Sequence, residues 1–237
     1  MIMDRKDILQ FIDLTSLSIA DNSGNIAKLC AKAIDKKVAA VCTYPNFVEI
    51  VKEALAGSGI KAASVAGCFP SAQSHISIKT AEVEFAVRSG ADEIDMVISA
   101  GKLMDGKTDE VLSEIKAIRT SSGSCTLKCI IESGILQTKE NIILASELAI
   151  EGGADFIKTS TGFVAIGATI EAASYILETI KKHYSTTGKK IGFKASGGIA
   201  TYEDALGYIN LIKDILGDEW LNPTLFRIGA SRLVDNL

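Results

Sequence analysis

Proline and histidine are scarce in this chain, which has three prolines and two histidines among 237 residues. With so few prolines, and with no segment rich in glycine and serine, the sequence contains no recognisable linker and no domain boundary. The two histidines lack the H-x-H or H-E-x-x-H spacing of zinc ligands, and no G-x-S-x-G segment offers a serine nucleophile. The sequence therefore argues against zinc chemistry and against a Ser-His-Asp triad.

Long apolar runs and basic clusters are absent too. No apolar run approaches the ~20 residues of a membrane span, and the first residues, MIMDRKDIL, contain no apolar signal core. A net charge of −4 argues against a surface for nucleic acid or anionic lipid, since both require a basic face. Five cysteines, an odd number without C-x-x-C spacing, are typical of a reduced chain. We therefore expect a cytoplasmic protein with neither a nucleic-acid nor a membrane partner.

Short β-branched segments alternate with longer segments of helical period along the chain. In residues 169–181, for example, apolar side chains recur every three or four positions. Thr138, Thr169 and Thr201 are predicted to cap the N-termini of helices. The predicted strands are residues 11–15, 38–43, 62–67, 92–98, 126–132, 155–159, 190–195 and 224–229.

Eight strands that alternate with helices predict a parallel sheet with right-handed crossovers. Eight strands in a chain of this length favour a closed barrel over a doubly wound open sheet. No G-x-G-x-x-G segment follows the first strand and no P-loop is present, so a dinucleotide or NTP fold has no support. We predict an α/β protein, a (β/α)8 TIM barrel that forms a single domain over residues 1–237, with a short helix before the first strand.

Three lysines lie in predicted strands five, six and seven: Lys128 in TLKCIIE, Lys158 in DFIKTSTG and Lys194 in GFKASGG. Functional side chains of such barrels lie at the carboxyl ends of strands, and lysine is rarely buried without a partner. Each lysine alone is compatible with a structural salt bridge. Their occurrence on three consecutive strands favours a functional role.

The spacing of strands brings two of these lysines together. Neighbouring strands lie ~4.8 Å apart, so the ammonium groups of Lys158 and Lys194 are expected to be close. Two like charges ~4 Å apart repel by roughly 4 kcal/mol at an effective dielectric constant of 20, which corresponds to about three pKa units. This repulsion predicts a lowered pKa for one lysine, and a free amine can form a Schiff base with a carbonyl.

Four carboxylates lie near the ends of predicted strands. Glu93 and Asp95 share one face of strand four, and Asp95 lies in an apolar run where Lys128 is its predicted partner. That pair is either a structural ion pair or also a proton shuttle beside the reacting carbon. Asp13 and Glu132 close strands one and five, where each can bind substrate hydroxyls or tie loops together.

Glycine-bearing loops follow predicted strands six, seven and eight, at residues 159–163, 195–201 and 227–233. Glycine lets backbone N–H groups approach an anion, and each loop leads towards a helix N-terminus. Barrels often bind phosphate after strands seven and eight. Three such loops in adjacent positions predict a phosphorylated substrate.

The segments FIKTSTG, GFKASGG, DEIDMV, LKCIIE and RIGAS together resemble the deoxyribose-phosphate aldolase family, which are class I aldolases on a (β/α)8 barrel. The resemblance covers nearly the whole chain, from FIDLT to RIGAS. It implies reversible cleavage of 2-deoxy-D-ribose 5-phosphate to D-glyceraldehyde 3-phosphate and acetaldehyde. It further implies a small-molecule phosphosugar ligand and no metal or organic cofactor, and a homodimer is left open.

The resemblance also implies roles for individual residues. Lys158 is then the Schiff-base lysine, Lys194 lowers its pKa, and Asp95, supported by Lys128, is the acid/base that acts through a water. The residues implied to line the substrate channel are Asp13, Thr15 and Cys42, although Cys42 is also compatible with plain packing. The residues implied to surround the phosphate are Thr161, Gly162, Gly197, Gly198, Gly229 and Ser231, and Arg232 stands where some members have a second serine.

Two other interpretations stay open at this point. One is a different imine-forming phosphosugar aldolase or transaldolase on the same barrel. The other is a non-catalytic phosphosugar-binding protein whose lysines form only salt bridges. A pure binder has no need for two adjacent lysines that repel each other, and it would more naturally use arginine for bidentate phosphate contacts.

Overall fold

The computed structural model describes residues 3–237, which fold into a closed barrel of eight parallel strands arranged in chain order. The strands are β1 Ile12–Thr15, β2 Ala40–Thr43, β3 Lys61–Ala66, β4 Glu93–Val97, β5 Thr126–Ile130, β6 Phe156–Lys158, β7 Gly192–Ser196 and β8 Phe226–Ala230. β8 pairs with β1 and closes the barrel. The predicted (β/α)8 fold is confirmed.

Helices connect the strands around the outside of the barrel. They are α1 Arg5–Ile8, α2 Ser23–Lys36, α3 Val48–Ala54, α4 Ile76–Arg88, α5 Ala100–Met104, α6 Thr108–Ser122, α7 Ser133–Leu136, α8 Lys139–Glu151, α9 Ile170–Thr187 and α10 Tyr202–Leu216. α1 precedes β1, and a short 3-10 turn, Leu233–Asn236, follows β8. None of the helices within residues 3–237 combines the length and the apolar composition that crossing a bilayer requires.

The three predicted helix caps are present. The hydroxyl of Thr138 accepts a hydrogen bond from the Asn141 N–H, and Thr169 does the same at the start of α9. Thr201 forms a full capping box with Asp204 before α10. Each cap satisfies a backbone N–H that has no partner within its helix, so these threonines fix where the helices begin.

Strand bounds differ from the prediction by one or two residues. The second strand, for example, was expected from residue 38 but begins at Ala40. Lys37 ends α2 in a left-handed conformation, and the Val38 N–H still bonds to the Ala33 carbonyl. Val38 therefore still belongs to the end of the helix, whereas the Ala39 N–H already bonds to the Ile12 carbonyl of β1.

The two faces of the strands carry different side chains. Outward-facing residues such as Ile94, Leu127, Ile157 and Phe193 are fully buried against the helices and form the main apolar core. Alternate residues point into the barrel. On β2 and β3 these are small apolar side chains, but on the other strands many are charged. The interior of the barrel is therefore the place where charges meet.

Candidate active site

Strand register places the predicted lysines and their partner on the inner face of the barrel. Lys158 on β6 lies directly opposite Lys194 on β7. Asp95 on β4 lies directly opposite Lys128 on β5. All four side chains are buried, Lys158 with 3% of its surface exposed and the others with none.

Asp95 is the carboxylate on which the three lysines converge. Its Oδ1 accepts a hydrogen bond from Lys128 Nζ at 2.8 Å, so the predicted Asp95–Lys128 ion pair is present. Its Oδ2 accepts from both Lys158 Nζ and Lys194 Nζ, each at 2.7 Å. The two amine nitrogens are therefore no farther apart than twice that distance. The proximity of the two lysines was predicted from the sequence, but the carboxylate between them was not.

A second part of the interior joins Asp13, Glu93 and Arg227. Asp13 accepts hydrogen bonds from Lys194 Nζ and from Arg227 Nη1, both at 2.5 Å, through its two oxygens. Glu93 accepts from Arg227 Nη2 at 2.8 Å and from Lys128 Nζ at 2.5 Å. Arg227 was missed as an interior residue. Its position between Phe226 and Ile228 in a predicted strand is the same signal that identified the lysines.

These contacts connect seven buried side chains into one set, which we call the barrel network. Its members are Asp13, Glu93, Asp95, Lys128, Lys158, Lys194 and Arg227. The contacts span β1, β4, β5, β6, β7 and β8. Charged groups at such depth are tolerated because each one is hydrogen-bonded to an opposite charge.

The network holds Asp95 and Asp13 ionised. Burial by itself would raise the pKa of Asp95, but Lys128, Lys158 and Lys194 more than reverse this and hold that pKa well below its usual range. Burial opposes ionisation of Asp13 in the same way, and Lys194 together with Arg227 and Lys128 lowers its pKa. Both carboxyl groups are therefore ionised near neutral pH in the absence of substrate.

The lysines of the network differ in their pKa. Burial lowers the pKa of Lys128 and Lys194, but nearby carboxylates outweigh burial and raise both values. For Lys158, burial lowers the pKa, Asp95 raises it and Lys194 lowers it again, and the net result is a lowered pKa. Lys158 is thus the lysine of the three that is biased towards the free amine.

This balance corrects the explanation expected from the sequence. Repulsion by Lys194 was expected to be the main reason for a lowered lysine pKa. In the structure the largest cause is the burial of Lys158, and Lys194 adds a smaller effect that Asp95 opposes. The carboxylate between the two ammonium groups weakens their repulsion.

A cavity of about 490 Å³ opens at the carboxyl ends of β1, β6, β7 and β8. Among the residues predicted to bind substrate or phosphate, the cavity is lined by Thr15, Thr161, Gly162, Gly197, Gly198, Gly229 and Ser231. Its wall also includes Leu17, Phe163 and Ile199, which were not predicted. The three glycine-bearing loops thus meet around one space, at the end of the barrel where β6 finishes at Lys158.

Two predicted substrate residues lie away from the lining of this cavity. Asp13 is fully buried, and its oxygens bond to Lys194 and Arg227. Cys42 is also fully buried, in a small apolar cluster with Ala40, Ala63 and Val65. Burial, and next to it Asp95, raises the pKa of the Cys42 thiol. The thiol is therefore uncharged, and it packs in this apolar cluster.

Glu132 ties the loops around the cavity together. Its carboxylate accepts hydrogen bonds from the hydroxyl and the backbone N–H of Thr161. Of the two roles the sequence left open for Glu132, the structure shows the tie between loops.

The loop after β6 also packs closely against the loop after β7 at Gly167, where a Cβ atom would lie 2.5 Å from the Gly197 carbonyl oxygen. Only glycine allows these two loops to approach so closely.

Arg232 is the one charged side chain among the described residues that line the cavity. Within residues 3–237 it takes part in no ion pair, and its guanidinium has no hydrogen-bond acceptor. A free guanidinium beside glycine-rich backbone suits an anion such as phosphate. The site thus combines a buried amine, a shared carboxylate and a cavity whose lining suits an anion.

Comparison with known proteins identifies the family of this chain. A family model described as DeoC/LacD family aldolase matches residues 8–210. A deoxyribose-phosphate aldolase of Homo sapiens is 43% identical over 245 residues, which cover 96% of this chain and 77% of the human one. The solved structure of QR15, an aldolase, has a TM-score of 0.80 at 32% identity and covers 96% of this chain and 93% of its own. A tetrameric deoxyribose phosphate aldolase from Aeropyrum pernix shares the fold, with a TM-score of 0.80 at 22% identity over 98% of this chain and 90% of its own. This chain belongs to the DeoC/LacD aldolase family.

Proposed function

We propose that this aldolase reversibly cleaves 2-deoxy-D-ribose 5-phosphate to D-glyceraldehyde 3-phosphate and acetaldehyde through a Schiff base on Lys158. The observation that carries the proposal is the state of Lys158, a buried amine with a lowered pKa whose single carboxylate partner is shared with another lysine. The human relative, which bears the name deoxyribose-phosphate aldolase, supports this choice of substrate.

In the proposed reaction, the free amine of Lys158 attacks C1 of the open-chain sugar, and loss of water gives the imine. The bond between C2 and C3 then breaks. Its electron pair moves towards the imine and forms an enamine, while the C3 hydroxyl loses its proton and becomes the aldehyde of D-glyceraldehyde 3-phosphate. Protonation at C2 and addition of water release acetaldehyde and restore the amine.

We assign the proton transfers to Asp95. Its Oδ2 is 2.7 Å from Lys158 Nζ, so it lies next to the atoms that react. Lys194 donates to the same oxygen, and Lys128 holds the other oxygen at 2.8 Å, so the carboxylate has a fixed orientation. A fixed group needs no reorganisation when charge moves during the reaction. Asp13 bonds to Lys194 and Arg227 and makes no ion pair with Lys158, so it is assigned to holding Lys194 and not to binding substrate.

The phosphate is assigned to the cavity at the mouth of the barrel. Backbone N–H groups of the glycine-bearing loops and the hydroxyls of Thr161 and Ser231 supply donors, and Arg232 supplies positive charge. With the phosphate bound there, the aldehyde end of the sugar extends towards Lys158. Binding at the mouth would thus orient the carbonyl for attack.

Borohydride reduction in the presence of acetaldehyde tests the proposal. We expect a single reduced adduct, mapped by mass spectrometry to the peptide that contains Lys158. The Lys158→Met variant should form none. Incubation with 2-deoxy-D-ribose 5-phosphate should release acetaldehyde without a second aldehyde acceptor, which separates an aldolase from a transaldolase. An unmodified Lys158 in the wild-type chain would contradict the proposal and would favour a protein that only binds phosphosugars.

A further inference from the structure

The barrel network contains more positive than negative groups. It has four cations, Lys128, Lys158, Lys194 and Arg227, and three carboxylates. With every group ionised, the interior would hold one positive charge without a counter-charge. An uncompensated buried charge is strongly unfavourable. Loss of a single proton from one cation makes the network neutral.

The contacts identify which cation loses the proton. Lys128 Nζ lies 2.5 Å from Glu93, 2.8 Å from Asp95 and 3.5 Å from Asp13. Lys194 and Arg227 each contact two carboxylates. Lys158 contacts one carboxylate oxygen, which it shares with Lys194. Of the four cations, Lys158 therefore has the fewest contacts with negative charge, and it is the one expected to lose its proton.

Arg227 and Glu93 lie in this network without touching Lys158, whose one ionic contact within residues 3–237 is Asp95. We propose that Arg227 and Glu93 are positioning residues that set the protonation state of Lys158 through the charge balance of the network. The positive charges of Arg227, Lys128 and Lys194 balance the negative charges of the three carboxylates. A protonated Lys158 would therefore have no counter-charge in the network. This inference rests on the proposed function of Lys158 as the imine-forming amine. The lowered pKa of Lys158 agrees with it.

The other ionisable groups around Lys158 belong to the network or are neutral. Asp95 faces Lys158 from β4, Lys194 from β7 and Lys128 from β5, while Asp13 of β1 lies behind Lys194. The Cys42 thiol on β2 is neutral because burial raises its pKa. At the end of β5, Glu132 is bonded to Thr161, and Lys61 at the start of β3 is exposed.

Two substitutions that change the charge of the network in opposite directions test the proposal. Arg227→Met removes a cation, so a proton on Lys158 would complete the charge balance, and the pKa of Lys158 should rise. Glu93→Gln removes an anion, so the pKa of Lys158 should fall further. A shift of about one pH unit in each direction is expected for a unit charge at this range. In Arg227→Met, Asp13 keeps Lys194 and Glu93 keeps Lys128, so neither carboxylate is left without a partner.

The measurement is the rate of borohydride trapping with acetaldehyde across a series of pH values. At neutral pH, Arg227→Met should trap about tenfold more slowly and recover at higher pH, whereas the Glu93→Gln profile should move to lower pH. Labelling of Lys158 by a small amine-reactive reagent across the same series gives its pKa without any imine. The double variant, Arg227→Met with Glu93→Gln, should return the pH midpoint of trapping to near the wild-type value.

The chain offers a matched control outside the barrel. Lys79 on α4 is as buried as the network lysines and pairs with Glu114 at 2.9 Å. Lys79→Met should leave the pH midpoint of trapping unchanged, whatever it does to stability. If Arg227→Met and Glu93→Gln shift the midpoint in the same direction, or leave it in place, the inference is wrong. If the wild-type chain forms no adduct on Lys158 while labelling still shows the opposite shifts, the proposed function fails and the charge balance stands.

Discussion

The interior of the barrel and the cavity at its mouth use charge in opposite ways. Inside, seven ionisable side chains bond to one another and are almost completely shielded from solvent. At the mouth, the lining consists of backbone, hydroxyls and apolar side chains, and its one described charge, Arg232, has no partner. The side chains of the barrel network, whose protonation states matter for the proposed chemistry, bond to one another. Arg232, which is expected to contact an anion, has no protein partner.

The comparison predicts different kinetic effects for the two regions. Changes inside should alter the chemical step and its pH dependence, since the network is proposed to set the protonation state of Lys158. Changes at the mouth should alter the binding of the phosphorylated substrate and leave the chemistry largely intact. The four predictions below test this division, beginning with the largest expected effect.

Replacing the amine should have the largest effect. Lys158→Met should lower kcat/KM for 2-deoxy-D-ribose 5-phosphate by at least about a thousandfold, because no imine can form. Release of acetaldehyde, followed with a coupled alcohol dehydrogenase, measures it. Lys79→Met, which removes an equally buried lysine outside the barrel, is the control and should stay within about twofold of wild type. Comparable losses in both variants would show that burial of a lysine, and not its place in the network, determines activity.

Removing Lys194 should produce the next largest effect inside the barrel. Lys194→Leu removes a positive charge that lowers the pKa of Lys158, so that pKa should rise and less free amine should exist at neutral pH. We expect trapping with acetaldehyde at neutral pH to slow by about ten- to a hundredfold, and the pH midpoint to rise by about one to two units. A pH–rate profile that keeps its midpoint would count against any part for Lys194 in setting this pKa.

At the mouth, Arg232→Leu should act on binding. Loss of a charge-assisted hydrogen bond to the phosphate should raise KM for the phosphorylated sugar by about tenfold and leave kcat within about threefold. Cleavage of unphosphorylated 2-deoxy-D-ribose should be unchanged, which makes that sugar the internal control. An equal loss for both sugars would place Arg232 in the chemical step and remove the distinction between the two regions.

The smallest effect concerns stability. A lowered pKa means that folding must release the proton of Lys158, so the residue disfavours folding at neutral pH, and this penalty fades as pH rises towards 10.5, the ordinary value for lysine. Lys158→Met should remove the penalty and increase the free energy of unfolding at pH 7 by about 1 kcal/mol, with less gain at higher pH. Urea unfolding at two pH values measures this. A destabilised variant at pH 7 would indicate that Lys158 is charged and needed as a counter-ion.

The sequence predicted the barrel well because the fold depends on local signals. Alternating strand and helix patterns identified all eight strands, and the threonine caps located three helix starts. The pair of lysines followed from their equivalent positions on consecutive strands. These features require only the period of each element and the spacing between neighbouring strands.

The sequence did not reveal contacts across the barrel. Asp95 on β4 meets Lys158 on β6 and Lys194 on β7, which are not its neighbours, so its role as a shared acceptor depends on how the closed barrel brings distant strands together. Arg227 was not predicted as an interior residue, because the segment RIGAS also contains Gly229, whose glycine pattern indicates a loop and not a buried charge. The neutral, buried state of Cys42 likewise depends on packing that no local pattern describes.

The position of Lys194 in the network depends on the absence of a side chain at Gly229. A Cβ at this position would lie 2.7 Å from Ser196 Oγ and 3.1 Å from Lys194 Cε, so Lys194 reaches its two carboxylates only because β8 has no side chain there. A substitution at 229 would therefore displace a charged group without altering any charge. Enlargement of the cavity by design is better directed to Leu17, Phe163 and Ile199, which line it and lie outside the barrel network.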